Sequence, residues 1–210
     1  MYLRDILGYS RACERAERIE RYRRDFAFLG ITETLRFGYG YSLEVNQLTL
    51  RMFIQLCAVG SPFLVGGNIR PEHILQFLWR ISPQYELRRE VENAQEFAAA
   101  LKQLPFKGAI RAINRYIDRQ LMDRPPTAVA RNDTKPDTSF AASMVHQLAS
   151  HYSWSGEEIL DLPLARSFQY LRKIHRSQDP DMGFWNPIRD RLTAKITRSY
   201  LRRRKHGYQS

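Results

Sequence analysis

A chain of 210 residues with 43% apolar and 26% charged side chains carries enough apolar material for the core of one large domain or two small ones, which excludes disorder throughout. Its formal charge of +11 is uneven: residues 171–210 hold 11 Lys/Arg against three acids, +8 of the total, and such a block attracts nucleic acid, an anionic membrane surface or an acidic protein partner. Two cysteines, Cys13 and Cys57, make no disulfide framework and fit a reducing compartment, the charged start (Arg4, Asp5, Arg11, Glu14) is unlike a signal peptide, and no run approaches the roughly 20 apolar residues of a membrane span.

Residues 11–25, ACERAERIERYRRDF, read as a charged helix. Glu14–Arg18 and Glu17–Arg21 place acid before base at i,i+4, the favourable orientation. The apolar positions Cys13, Ala16, Ile19 and Tyr22 are sparse, so only a narrow stripe can pack. Residues 26–41 carry Thr32, Thr34, Phe37, Tyr39 and Tyr41 with glycines at 30, 38 and 40. The period fits a short hairpin and an irregular aromatic loop equally, and any strand in the chain is expected here.

From Ser42, a residue suited to an N-cap, the pattern reads as helix with Val45, Leu48, Met52, Phe53 and Leu56 on one face. It should stop at Gly60, ahead of Pro62. Pro71 suits the first turn of the next helix, whose Ile74, Leu75, Phe77, Leu78, Trp79 and Ile81 are apolar on nearly every side. Such a helix is buried or forms half of an interface, and Pro83 ends it. Residues 85–104 and 109–122 read as two more amphipathic helices, the first stopped by Pro105.

Residues 123–138, DRPPTAVARNDTKPDT, hold three prolines and almost nothing to bury, the composition of a linker. Helix is expected again over 139–152, with Met144, Val145, Leu148 and Tyr152 on one side. Ser155 with Glu158 three positions on forms a capping box before Ile159 and Leu160. Pro163 interrupts, 164–174 resumes, 179–183 turns, and Pro187 opens a last helix with Ile188, Leu192, Ile196 and Tyr200 at i+4. The expected fold is therefore mainly α: a multi-helical unit over 1–122, the linker at 123–138, and a smaller helical unit over 139–210 that ends in a basic helix.

Candidate chemistry is thin. His146 and His151 stand five apart, roughly 140° around a helix, where i,i+4 would be needed to share a metal. Glu157/Glu158 and Asp179/Asp181 sit where a helix start and a turn favour acids, with no partner for acid–base work. Gly66-Gly67 lacks the Gly-Lys-Ser/Thr of a phosphate loop, and no serine stands in a Gly-x-Ser-x-Gly elbow. No catalytic residue, metal ligand or cofactor is assigned, and a non-enzymatic protein is expected. The constellation with physical force is the terminal one: Arg198, Arg202 and Lys205 at i, i+4 and i+7, with Arg203 and Arg204 between them. That strip would contact nucleic acid phosphates or an acidic partner, although no helix-turn-helix or zinc frame accompanies it.

Two segments carry a resemblance. The first is Gly-Ser-Pro-Phe-Leu-x-Gly-Gly at 60–67, followed by an apolar helix with Phe77-Leu78-Trp79 and then Ser82-Pro83-x-Tyr85. The second is Tyr152-Ser153-Trp154, followed by Glu158-Ile159-Leu160-Asp161-Leu162-Pro163-Leu164. Together, some 50 residues resemble the tail assembly chaperones of long-tailed bacteriophages. The resemblance implies a protein that acts in the host cytoplasm, binds the long helical tape-measure protein, keeps it soluble and helps tube subunits gather around it. It leaves room for a homo-oligomer. Aromatic and apolar residues of the two segments, Phe63, Phe77, Trp79, Trp154 and Leu162, are the expected partner contacts. Two alternatives stay open: a DNA-binding phage or mobile-element protein that uses the basic C-terminal helix, and a structural component of the virion.

Overall fold

A computed structural model describes residues 3–30, 32–83, 104–125 and 139–184, together with 85, 95, 97–99, 101, 194 and 198. The fold is mainly helical, with a single antiparallel hairpin among the described residues. In chain order the elements are α1 (Leu3–Leu29), β1 (Glu33–Gly38), β2 (Tyr41–Val45), α2 (Leu50–Ala58), α3 (Pro62–Val65), α4 (Pro71–Ile81), α5 (Phe106–Gln120), α6 (Phe140–Tyr152), α7 (Gly156–Asp161) and α8 (Leu164–Gln178).

Several boundaries follow from local chemistry. Pro71 opens α4, and Ser82 ends it one residue before Pro83. Ser139 caps α6 through a hydroxyl that accepts the Ala142 N–H. Ser155 and Glu158 close a reciprocal capping box at α7. In that box the Ser155 N–H and hydroxyl hold the exposed Glu158 carboxyl below its ordinary range. Three expectations are corrected. The opening helix runs on through Phe26 to Leu29. Residues 42–45 are strand, not the start of a helix: Ser42 pairs with Arg36, and Val45 is buried opposite Glu33. The next helix therefore begins only at Leu50, where the Thr49 hydroxyl accepts the Met52 N–H. Finally, Gly60–Ser61–Pro62 is not a simple break, since α3 fits one helical turn between Gly60 and Gly66, both at positive φ.

The hairpin alternates inward and outward, with Leu35, Phe37 and Val45 buried, as a half-covered sheet requires. It lies on α5, and the approach is close because position 108 is glycine. A Cβ there would lie 2.0 Å from the Phe37 carbonyl oxygen. Polar groups fix the same joint. Tyr116, wholly buried, donates to the Asn46 carbonyl at 2.8 Å, and burial drives its phenol well above the ordinary pKa. Gln120 accepts the Leu48 N–H and donates to Glu33, which Arg119 also holds. We expect Gly108→Ala to destabilise the protein by about 2 kcal/mol through overpacking, although alanine is favoured over glycine inside a helix by about 1 kcal/mol. A urea midpoint at or above that of the parent chain would contradict this account.

One core joins the two flanks of the linker segment. Leu56, Phe77, Leu78 and Ile113 from before it pack in the same cluster as Met144, Leu148, Ile159, Phe168 and Leu171 from after it. Backbone pairing reinforces the union: Leu50 N–H donates to the Leu162 carbonyl, and Leu164 N–H to the Leu48 carbonyl at 2.6 Å. Residues of the units expected at 1–122 and 139–210 thus contribute to one apolar cluster. Residues 126–138, most of the linker, lie outside the described residues, as do most of the helix expected over 85–104 and most of the helix expected from Pro187.

A three-way ion pair ties the chain's beginning, middle and end. Asp123, at φ 67° and with 1% of its side chain exposed, receives Arg24 of α1 through two bonds of 2.5 and 2.9 Å. Arg172 of α8 donates to the same carboxylate.

Candidate functional site

The second resembling segment builds an aromatic platform. Tyr152 ends α6. Ser153 follows in the left-handed conformation (φ 58°), its N–H donating to the Ala149 carbonyl. That reversal lays Trp154 back over Tyr152, rings stacked at 4.7 Å and 19°. Tyr170, on α8, meets both edge-on, at 5.1 Å from Tyr152 and 4.9 Å from Trp154. Phe28, near the end of α1, meets Tyr170 at 5.6 Å. Arg166 lies over the Phe28 ring at 5.1 Å and donates to its carbonyl. His151 borders the group, 4.8 Å edge-on to Tyr152. Edge-to-face and offset contacts of this kind contribute about 0.5–1.5 kcal/mol per pair beyond burial, so the platform is held rigid.

Trp154, Tyr152 and Tyr170 are half-buried, and Phe28 is exposed. The platform therefore keeps apolar, aromatic surface in contact with solvent. Burial, with a smaller contribution from Tyr170, raises the Tyr152 phenol above its ordinary pKa, so its hydroxyl stays a neutral donor at physiological pH. Rigid aromatic residues with a polar edge are the composition of protein-binding hot spots.

The other expected contacts are placed differently. Phe77 is fully buried and Trp79 nearly so. Phe63 is half-buried and rests its ring 5.3 Å from Phe77, and Trp79 is enclosed by Phe97 and Tyr85. Phe77 and Trp79 are thus interior in this fold, whereas Val65 and the glycines at 60, 66 and 67 of the same segment are exposed. Leu162 is half-buried, and its carbonyl is occupied by Leu50. The Leu162-Pro163-Leu164 part of the phrase therefore clamps the chain's end to its beginning, while Tyr152 and Trp154 face outward. Arg198 is exposed on a helical residue; Arg202, Arg203, Arg204 and Lys205 lie outside the described residues.

Sequence reading missed Phe28 and Tyr170. Tyr170 shares the 164–174 helix with core residues and carries no local mark. Phe28 joins only because α1 runs on past the expected end of its helix. His146, His151 and His175 border a shallow depression of about 350 Å³, yet among the described residues no three His, Cys, Asp or Glu side chains gather closely enough to hold a metal ion. Among the helices described, none is long and apolar enough to cross a membrane. No protein-family model, curated protein or solved structure matches the chain.

Proposed function

We propose that this protein is a non-enzymatic phage morphogenesis factor, a tail assembly chaperone that binds the tape-measure protein and keeps it soluble until tube subunits enclose it. The observation that carries the reading is the platform. The Tyr-Ser-Trp phrase that resembles those chaperones is also the one that presents rigid aromatic surface to solvent. An amphipathic helix offers apolar side chains at i, i+3 and i+4, and an aromatic surface of this kind receives such a face.

The test is co-expression with the tape-measure protein of a long-tailed phage. We expect the tape-measure chain to remain in the soluble fraction and to co-purify with this protein. Precipitation of the tape-measure chain to the same extent with and without it would refute the reading.

The C-terminal charge, +8 over residues 171–210, favours a second reading as a DNA-binding protein of a phage or mobile element. Deleting residues 202–210 removes Arg202, Arg203, Arg204 and Lys205 and separates the two. The chaperone reading expects solubilisation to survive the deletion. The DNA-binding reading expects a salt-sensitive affinity for duplex DNA to fall.

A further inference from the structure

The long N-terminal helix carries two faces with different neighbours. Arg24 and Phe28, one turn apart, meet Asp123 and Tyr170, and the Arg24 carbonyl receives Gln169 of α8 at 3.0 Å. About 160° around the helix from that line runs a second row: Ile19, Tyr22, Phe26 and Leu29, spaced three, four and three residues apart. Their exposures are 39%, 77%, 37% and 68%. Scattered apolar residues on a surface need no explanation, but four in register on one helix form a contiguous patch. The spacing is that of the a and d positions of a heptad, the seam by which one helix packs along another. The row is about 15 Å long at 1.5 Å per residue.

The borders of the row decide what it fits. Arg11, Arg15 and Arg18 project on the same side, all exposed, while Glu17 falls on the opposite side and Glu14 on the flank. At its C-terminal end, Arg23 and Phe26 open onto a groove of about 420 Å³ that Arg119 and Glu33 also line. Glu33, an acid in that groove, is already held by Arg119 and Gln120. The face is therefore apolar along its centre and mainly basic around it, with Asp25 and Glu14 as acids at one margin.

A second copy of this chain is poorly matched to it. In a parallel pair, Arg18 of one copy would meet Arg23 of the other at the flanking positions, where opposite charges set partner choice. Nucleic acid is matched by the arginines but not by Ile19 and Leu29, which have no base to stack on.

We propose that this face of α1 docks an acidic amphipathic α-helix of a partner protein, with apolar residues on the seam and Glu or Asp beside the arginines. The proposal does not depend on the tail-assembly reading, and its test uses neither the tape-measure protein nor the platform.

The probe is a fluorescent peptide of four heptads with Leu at a and d and Glu at e and g, whose own charges oppose self-pairing. A twin with Lys at e and g serves as control. Titrated with the full chain, the acidic peptide should bind and the basic twin should not. Tyr22→Ala/Leu29→Ala removes the two most exposed members of the row, so its unfolding midpoint should equal the parent's while affinity for the acidic peptide falls roughly tenfold or more. Equal binding of the two peptides, or of neither, would overturn the proposal. So would a duplex DNA oligonucleotide whose binding the double variant abolishes, or a self-association of the chain that the same variant removes.

Discussion

Asp123→Ala should lower the unfolding free energy by about 3 kcal/mol, about 2 from breaking an ion pair whose arginines are partly exposed and about 1 from the backbone, and the midpoint temperature by about 10 °C for a chain of this size. Two effects combine. The carboxylate is almost wholly enclosed and receives Arg24 and Arg172, so its loss removes the anion that the two guanidinium groups share. Burial already pulls Arg172 below its ordinary pKa, opposed by the Asp123 charge. Without that charge, burial and the nearby Arg24 and Arg176 charges act on Arg172 unopposed, although Arg24 and Arg172 each keep about a fifth of the side chain exposed (23% and 22%) and can turn partly toward water. The second effect is local: φ is 67° at this position, which Asp and Asn tolerate and Ala resists by about 1 kcal/mol. Asp123→Asn separates the two, since it keeps the backbone preference and removes the charge, and about 2 kcal/mol of the loss should remain. Urea unfolding of the three proteins measures both. If both variants unfold within 0.5 kcal/mol of the parent, about the scatter of ordinary surface substitutions, the ion pair does not hold α1 and α8 to the rest of the fold.

That cluster also shows where sequence reading ends. Periodicity and punctuation locate α4, α6, α7 and α8 to within a few residues, because Pro71, Ser139, Ser155 and Pro163 act on their own neighbours. The hairpin is harder. Thr, Phe and Tyr between glycines fit a strand or an aromatic loop, and only pairing of Glu33 with Val45 and of Leu35 with Leu43 makes β2 a strand where the apolar spacing from Val45 onward reads as helix. Asp123 reads as the first residue of a linker. Its partners are 99 and 49 residues away in the chain, and no local pattern reports such a separation. The platform is legible by half for the same reason: Tyr152 and Trp154 stand in one phrase, whereas Tyr170 and Phe28 arrive by the packing of α8 and α1.

The two tryptophans of the resembling segments should part company on substitution. Trp79 is 5% exposed, enclosed by Tyr85 and Phe97, so Trp79→Ala leaves a cavity the size of an indole and should cost about 4 kcal/mol. Its indole N–H has no hydrogen-bond partner among the described residues. Trp79→Phe, which removes that buried donor and keeps an aromatic ring, should therefore recover most of the loss. Trp154 is half-buried, stacked on Tyr152 and at a steep angle to Tyr170. Trp154→Ala should cost about 2 kcal/mol, the scale of its two lost ring contacts, and leave the helical circular dichroism intact. Its effect should fall on the partner instead. Under co-expression, the folded Trp154→Ala protein should leave the tape-measure chain insoluble, since truncating a hot-spot aromatic weakens binding by about 2 kcal/mol or more. Trp79→Phe, folded and with an intact platform, should keep the tape-measure chain in solution. Were Trp154→Ala to solubilise it as well as the parent does, the platform would not be the contact surface, and the Tyr-Ser-Trp phrase would be packing alone.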